Sequence, residues 1–218
     1  MTERWADRAA AGARLGDRLA AAGLTGPLVL GLARGGVEVA APVSAALSAP
    51  LDVLVVRKVG RPGQPELGLG AVTEAGLVVW DDFGLAAAGL LPADLADVVE
   101  AERAECGRRV SAYREGRPAT AVHGRTVVLV DDGIATGVTA RAAVRNVRAG
   151  GAARIVMAAP VVAAATVAAL AAEGCEVVAL LTAHRFGAVS RFYDRFDQTS
   201  DATVLSLLAA RPAACPRR

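Results

Sequence analysis

Apolar positions along this chain follow two periods, and the alternation between them outlines the fold. Residues 4–23 mix charged and apolar side chains at helical spacing, and Gly23 and Gly26 end the pattern. A short apolar run at 27–32 predicts a buried strand, followed by the loop Ala33-Arg34-Gly35-Gly36 and a helix over 37–48. Residues 51–56 predict a second strand, which opens into a long polar loop, rich in Gly and Pro, over 57–66. Residues 69–73 and 77–80, separated by Glu74-Ala75-Gly76, predict a hairpin. A polar helix of mixed charge fits 92–113. Strands at 126–130, 154–159 and 176–181 then alternate with helices at 138–148 and 162–171, and a last helix covers 201–210. Such alternation predicts an α/β fold in which helices cover both faces of a mostly parallel sheet.

Composition narrows this picture. With 218 residues the chain suits a single domain over 1–218. Its hydrophobic content of 54% includes only 4% aromatics, so Val, Leu and Ala must build the core. The net charge of +2 is dispersed, which gives no footprint for nucleic acid; Pro216-Arg217-Arg218 reads as a solvated tail. Residues 155–172 carry no charge, but Pro160 and the alanine content favour a strand, turn and helix over a membrane span. Charges near the N-terminus argue against a secretion signal. Cys106, Cys175 and Cys215 are far apart, and with His123 and His184 they give no zinc-ligand spacing, so a reducing cytoplasm is expected. The acidic pair Asp81-Asp82 reads as a solvated turn.

The chemistry concentrates in Val127-Val128-Leu129-Val130-Asp131-Asp132-Gly133-Ile134-Ala135-Thr136-Gly137-Val138-Thr139. A buried strand that feeds a small-residue turn and then a helix N-terminus is suited to phosphate, because free backbone N–H groups and the positive end of the helix dipole point at it. Thr136 and Thr139 add hydroxyl donors, and Gly137 allows close backbone approach. Asp131 and Asp132 would repel a phosphate, so they should face sugar hydroxyls or a hydrated divalent cation. The structural alternative is a Rossmann-like strand end with an incidental Asp-Asp turn. No Gly-Lys-Ser/Thr phosphate loop and no strand-linked G-x-G-x-x-G occurs. Elsewhere, Arg34-Gly35-Gly36 follows the first strand and Arg57-Lys58 the second, at loops that such sheets use for ligands.

The 127–139 stretch resembles the phosphoribosyl-pyrophosphate (PRPP) signature of type I phosphoribosyltransferases. The segments Leu32-Ala33-Arg34-Gly35-Gly36-Val37, Val55-Val56-Arg57-Lys58-Val59-Gly60 and Pro65-Glu66-Leu67-Gly68-Leu69-Gly70 extend the likeness to a bacterial group of stand-alone phosphoribosyltransferases. Arg108-Arg109, Tyr113-Arg114, Phe192-Tyr193, Phe196-Asp197-Gln198 and Asp201 agree with it too, while Ala188-Val189-Ser190 departs from the group's usual Ala-Val-Gly. The resemblance implies a type I fold: a twisted, mostly parallel sheet flanked by helices, with a flexible loop and a small hood. The hood would come mainly from about 182–218, joined by the N-terminal helix. It also implies that Ala135, Thr136, Gly137, Val138 and Thr139 grip the 5-phosphate and that Asp131 and Asp132 hold the ribose hydroxyls. Mg²⁺ would be carried by PRPP, with water linking it to those carboxylates. Arg34, Gly35, Gly36, Arg57 and Lys58 would receive pyrophosphate, and Glu66 belongs to the closing loop. Enzymes acting on 6-oxopurines carry Asp at the position of Ala135, which puts such an acceptor in doubt, whereas adenine-type enzymes tolerate Ala there, so the resemblance implies transfer of phosphoribose from PRPP to a nucleobase or another small nucleophile. Phe186, Phe192 and Tyr193 either stack on the acceptor or plug the C-terminal segment. The expected partners are PRPP and a small-molecule acceptor, with a homodimer as the assembly and neither nucleic acid nor membrane involved. The competing readings are a PRPP- or nucleotide-binding regulatory module without turnover, and a nucleotide hydrolase or phosphorylase.

Overall fold

Five short runs dominated by Val, Leu and Ala form one parallel sheet. They are β1 (Leu28–Leu32), β2 (Leu51–Leu54), β6 (Thr126–Val130), β7 (Arg154–Ala163) and β8 (Glu176–Ala183), in the order β2-β1-β6-β7-β8. The computed structural model describes residues 4–210, apart from the side chains of Pro65 and Glu66. Alternate residues of each strand enter separate cores. Val29, Val128 and Val156 pack against α1 (Arg8–Ala20) and α2 (Gly35–Ala46). Leu28, Val127 and Met157 pack against α5 (Val138–Ala149) and α6 (Ala164–Ala172). The central strand β6 is therefore sealed on both faces, with Val127 to Val130 wholly inaccessible.

Strand order reverses between β1 and β6: from β1 the chain steps outward to β2, and β6 returns on the other side. Loops leaving the carboxyl ends of β1 and β6 thus diverge and open a crevice between them. Two of the three segments expected to bind PRPP, Arg34-Gly35-Gly36 and 131–139, leave those two ends.

Several boundaries differ from expectation, each for a physical reason. The 51–56 run divides at Val55. Residues beyond it leave the parallel sheet and form a second, antiparallel sheet of β3 (Val56–Arg61), β4 (Gln64–Thr73) and β5 (Val78–Trp80). The expected polar loop over 57–66 is therefore a hairpin, closed by the two residues Pro62 and Gly63 between paired Arg61 and Gln64. Its Gly and Pro content marked a tight turn within a ribbon instead of an irregular loop. Strand β7 continues past Pro160, which delays α6 by two residues. The β6–β7 ladder ends at Val130↔Ala158, and the β7–β8 register passes from Ala159↔Ala179 to Val161↔Leu181, so the proline interrupts no observed pair. Asp81-Asp82 begins a short helix, α3 (Asp82–Ala88), which seven residues interrupted by Gly84 could not announce. The predicted 92–113 helix starts as a 3-10 turn, Pro92–Leu95, before α4 (Ala96–Arg114).

The N-terminal segment joins the hood. Trp5 N–H donates to Phe192 O at 2.9 Å, and Trp5 O accepts from Asp194 N–H at 2.8 Å. Trp5, Phe192 and Tyr193 are buried together, with Trp5 and Tyr193 ring centroids 5.7 Å apart. Helix α1 consequently begins at Arg8, capped by Asp7, and not at residue 4. The final helix, α7 (Asp201–Ala209), packs beside α2 and α4. Cys215 and the terminal Arg217-Arg218 lie outside the described residues, as does the hood's expected end. Cys106 and Cys175 are buried free thiols, and no helix among the described residues is long and apolar enough to cross a membrane.

Candidate active site

The ladder that fixes β6 also fixes the acidic pair. Asp131 N–H donates to Ala158 O at 3.1 Å, which holds the first carboxylate at the mouth of the crevice, and Asp132 N–H donates to Asp131 Oδ1 at 2.9 Å. Asp132 is clamped further. Arg8 Nε donates to its Oδ2 at 2.8 Å, and the Tyr193 hydroxyl donates to its backbone carbonyl at 2.6 Å. Arg8 is buried, donates through Nη1 to Asp197 O at 2.7 Å, and stands 3.8 Å from the centre of the Phe196 ring. Burial pushes both carboxyls above their ordinary range; the neighbouring Asp132 adds to this for Asp131, whereas Arg8 opposes it for Asp132.

Across the crevice lies the turn after β1. A Cβ on Gly36 would fall 2.5 Å from Val130 O, and one on Gly35 would collide with Asp132 Oδ2. Glycine at both positions is what lets the β1 turn close on the acidic pair. The peptide between Ala33 and Arg34 is cis.

The turn after β6 is anchored to the next strand and helix. Ile134 N–H donates to Val161 O at 2.9 Å, Ile134 O accepts from Ala163 N–H at 2.8 Å, and the Thr166 hydroxyl donates to Ala135 O. Gly137 precedes α5 with φ of 79°, and a Cβ there would strike the Thr166 methyl. The loop is thereby held with the α5 N-terminus facing the crevice. Thr136 is exposed and Thr139 partly so. Together with Lys58 and Val189, residues Asp131 to Gly137 and Thr139 line a cleft of about 220 Å³.

Arg57 and Lys58, both expected to receive pyrophosphate, are separated by the pleat of β3, because successive side chains point to opposite faces. Lys58 lines the Asp131–Thr139 cleft. Arg57 lines a second cleft of about 390 Å³ with Arg8, Arg34, Gly35, Arg109, Phe196, Gln198 and Thr199. Carboxylates hold these arginines from behind: Glu102 accepts from Arg57 Nε at 2.7 Å, Glu105 from Arg109 Nε at 2.6 Å, and Asp201 stands 3.7 Å from Arg34 Nη1. Phe192 and Tyr193 are buried hood residues with no ring face left for an acceptor, and Phe186 packs on Phe192 at 5.3 Å. The aromatic ring beside the site is that of Phe196. The Glu66 side chain lies outside the described residues.

Sequence reasoning passed over Arg8 and Thr166, and it named Arg109 and Phe196 within family-like segments without giving either a role. For the two arginines a signal existed. Arg8 falls on the stripe of Ala11, Leu15 and Leu19, and Arg109 on that of Val99, Cys106 and Tyr113, so each is a charge on the buried face of its helix. Thr166, within an alanine-rich helix, gave none.

The family model of the phosphoribosyl transferase domain matches residues 6–186. This chain belongs to the phosphoribosyltransferase family. Its α/β core is the type I phosphoribosyltransferase fold. Two relatives from Mycobacterium tuberculosis, strains CDC 1551 / Oshkosh and H37Rv, are each 46% identical over 93% of this chain and bear the name phosphoribosyl transferase provisionally. The match covers 46% of each, so the chain spans about half the length of these curated relatives. The crystal structure of TT1426 from Thermus thermophilus is also similar, with 43% identity, a TM-score of 0.77, and coverage of 94% of this chain and 97% of that one.

Two outcomes follow for this phosphoribosyltransferase site. A carboxyl whose folded pKa is raised favours folding while protonated and loses that contribution as pH rises through the folded value. Asp131→Asn, which mimics the protonated form, should therefore melt several degrees above the wild type at pH 8, with the gap closing as pH falls; equal melting at pH 8 would show that the buried charge costs nothing. Gly35→Ala should weaken PRPP binding at least about tenfold, because the methyl displaces Asp132 and Arg8; calorimetry giving an unchanged Kd would mean that the close approach is incidental.

Proposed function

We propose that this domain transfers the phosphoribosyl group of PRPP to a small-molecule acceptor and releases pyrophosphate. The observation that carries the reading is the convergence of a carboxylate pair, a helix-N-terminal loop and Lys58 on one cleft at the point where strand order reverses. In this reading the α5 N-terminus, Thr136 and Thr139 take the 5-phosphate. Asp131 and Asp132 accept hydrogen bonds from the ribose hydroxyls, with Arg8 fixing the orientation of Asp132. The bond from the anomeric carbon to pyrophosphate breaks as the bond to the acceptor forms, and positive charge develops on the ribose ring. Lys58 on one side, and Arg34 and Arg57 on the other, stabilise the negative charge gathering on the leaving group. The two carboxylates suit a hydrated divalent cation, since part-buried acidic oxygens sit side by side and only one is taken by Arg8. When bound there with PRPP, Mg²⁺ would offset pyrophosphate charge.

The arginine-lined cleft next to the PRPP cleft supports transfer over simple sensing, because a sensor of PRPP requires no second chamber. The test is pyrophosphate release from the purified chain with PRPP, with and without Mg²⁺ and across a panel of acceptors. Release should require Mg²⁺ and an acceptor, and Lys58→Ala should lower turnover about 100-fold, the usual loss for one charge-stabilising donor. Release without any acceptor would instead make the protein a hydrolase, and tight PRPP binding with no release would make it a binding module.

A further inference from the structure

A cavity of about 660 Å³ lies apart from both clefts described above and shares no lining residue with either. It opens at the far end of α5. Thr139 belongs to the PRPP cleft, whereas Asn146 and Val147 reach this cavity from about 10 Å further along the helix axis, at 1.5 Å per residue. The β4–β5 turn and the loop before β6 complete the wall. Small-molecule sites commonly enclose roughly 300–1,000 Å³ within mostly apolar walls. This one fits, with Leu30, Leu54, Leu77, Val122 and Val147 around it.

The polar groups on the wall define what could sit there. Arg114, in the last turn of α4, is buried at 9% exposure. Its Nη2 donates to Glu74 Oε1 at 2.6 Å and to Val53 O at 3.2 Å. Its Nε is sealed from solvent without an acceptor, and Nη1 donates no hydrogen bond within the described residues. Nη1 is thus the corner of the guanidinium left for a ligand, and a buried donor without a partner calls for an explanation. Asn146 Oδ1 receives no donor either, and a half-turn of that amide exchanges Oδ1 with Nδ2, so it can meet either kind of group.

The carboxylates are already committed. Glu74 Oε2 accepts from Val55 N–H at 2.9 Å; Asp52 Oδ1 accepts from Val53 N–H at 2.8 Å, and Oδ2 accepts from the N–H and the hydroxyl of Thr120. Glu74 neutralises Arg114 and Asp52 adds a further negative charge, so the wall repels an anion. A cation would meet Arg114 while both carboxylates are taken by protein donors. What remains is a neutral molecule with an oxygen for Nη1.

We propose that this cavity is a second binding site, for a neutral and mostly apolar small molecule that presents a carbonyl-type oxygen to Arg114. The proposal does not depend on the transferase reading, because the site shares no group with the PRPP cleft. Acetophenone, ethylbenzene, benzoate and benzylamine serve as probes of one size, titrated into the whole chain and followed through its backbone amides by NMR. Acetophenone should shift the amides of Val122, Val147 and Gly150 and leave those of 131–139 in place. It should bind at least about tenfold more tightly than ethylbenzene, which offers the charged donor nothing. It should surpass benzoate and benzylamine by a similar factor, because either brings a charge with no partner into an apolar wall. Ala149→Trp, at an exposed position on the cavity, should weaken acetophenone at least about tenfold by filling the space, and inorganic phosphate should leave its affinity within about twofold. No shift at the cavity amides overturns the proposal, as does any other probe binding as tightly as acetophenone, and these comparisons need no variant to fold. Undiminished affinity in Ala149→Trp, or displacement by phosphate, also overturns it by placing the probe elsewhere. Failure of PRPP to bind the wild type would contradict the transferase reading alone, whatever the probes show.

Discussion

Two adjacent carboxylates at the carboxyl end of the central strand sit where burial opposes their charge, and the surrounding structure is arranged to hold them. Burial disfavours both charges, and the charge on Asp132 further disfavours that on Asp131. The compensation is Arg8, brought from the N-terminus across 124 positions of sequence to meet Asp132. Arg8 can reach that place only because Trp5 and its neighbours are stitched to the hood, and because Gly35 leaves room for the guanidinium and the carboxylate together. Truncating the N-terminal segment would thus affect the site and not merely a surface helix.

Strand order explains why the remaining groups assemble there. The reversal between β1 and β6 opens a crevice whose two walls are a glycine turn and a phosphate-type loop. The antiparallel ribbon rising beside it uses its pleat to send Lys58 into one chamber and Arg57 into the next. The two chambers meet at Asp132, Arg8 and Gly35. The loop before α5, the acidic pair and an arginine-lined recess therefore lie in sequence along one edge of the sheet.

Much of this was legible in the amino-acid sequence. The parallel strands, the acidic pair and the loop before α5 are local patterns whose period or turn residues state their structure directly. The misreadings have a common cause. Pro and Gly over 57–66 and at Pro160 are turn signals locally, yet a hairpin tip and an unpaired strand edge accept them as readily as a loop does. Arg8 and Thr166 act through contacts with residues far away in the chain, which no local pattern encodes; for Arg8 only its placement on an apolar helix stripe hinted that it was retained inside for a reason. Phe192 and Tyr193 illustrate the converse, because aromatics near a candidate site are as useful to a core as to a ligand, and here the Trp5 cluster takes both.

The central claim is that the acidic pair and the loop before α5 hold different parts of one molecule. Calorimetric titration of inorganic phosphate and of PRPP with Mg²⁺ into the wild type and Asp132→Asn separates the two contributions. Inorganic phosphate reads the loop alone and should bind both proteins equally, whereas PRPP should bind the variant at least about tenfold more weakly, since hydrogen bonds to a charged acceptor are lost. Equal PRPP affinity in the two proteins would contradict the account, because the carboxylates would then have no part in holding the sugar.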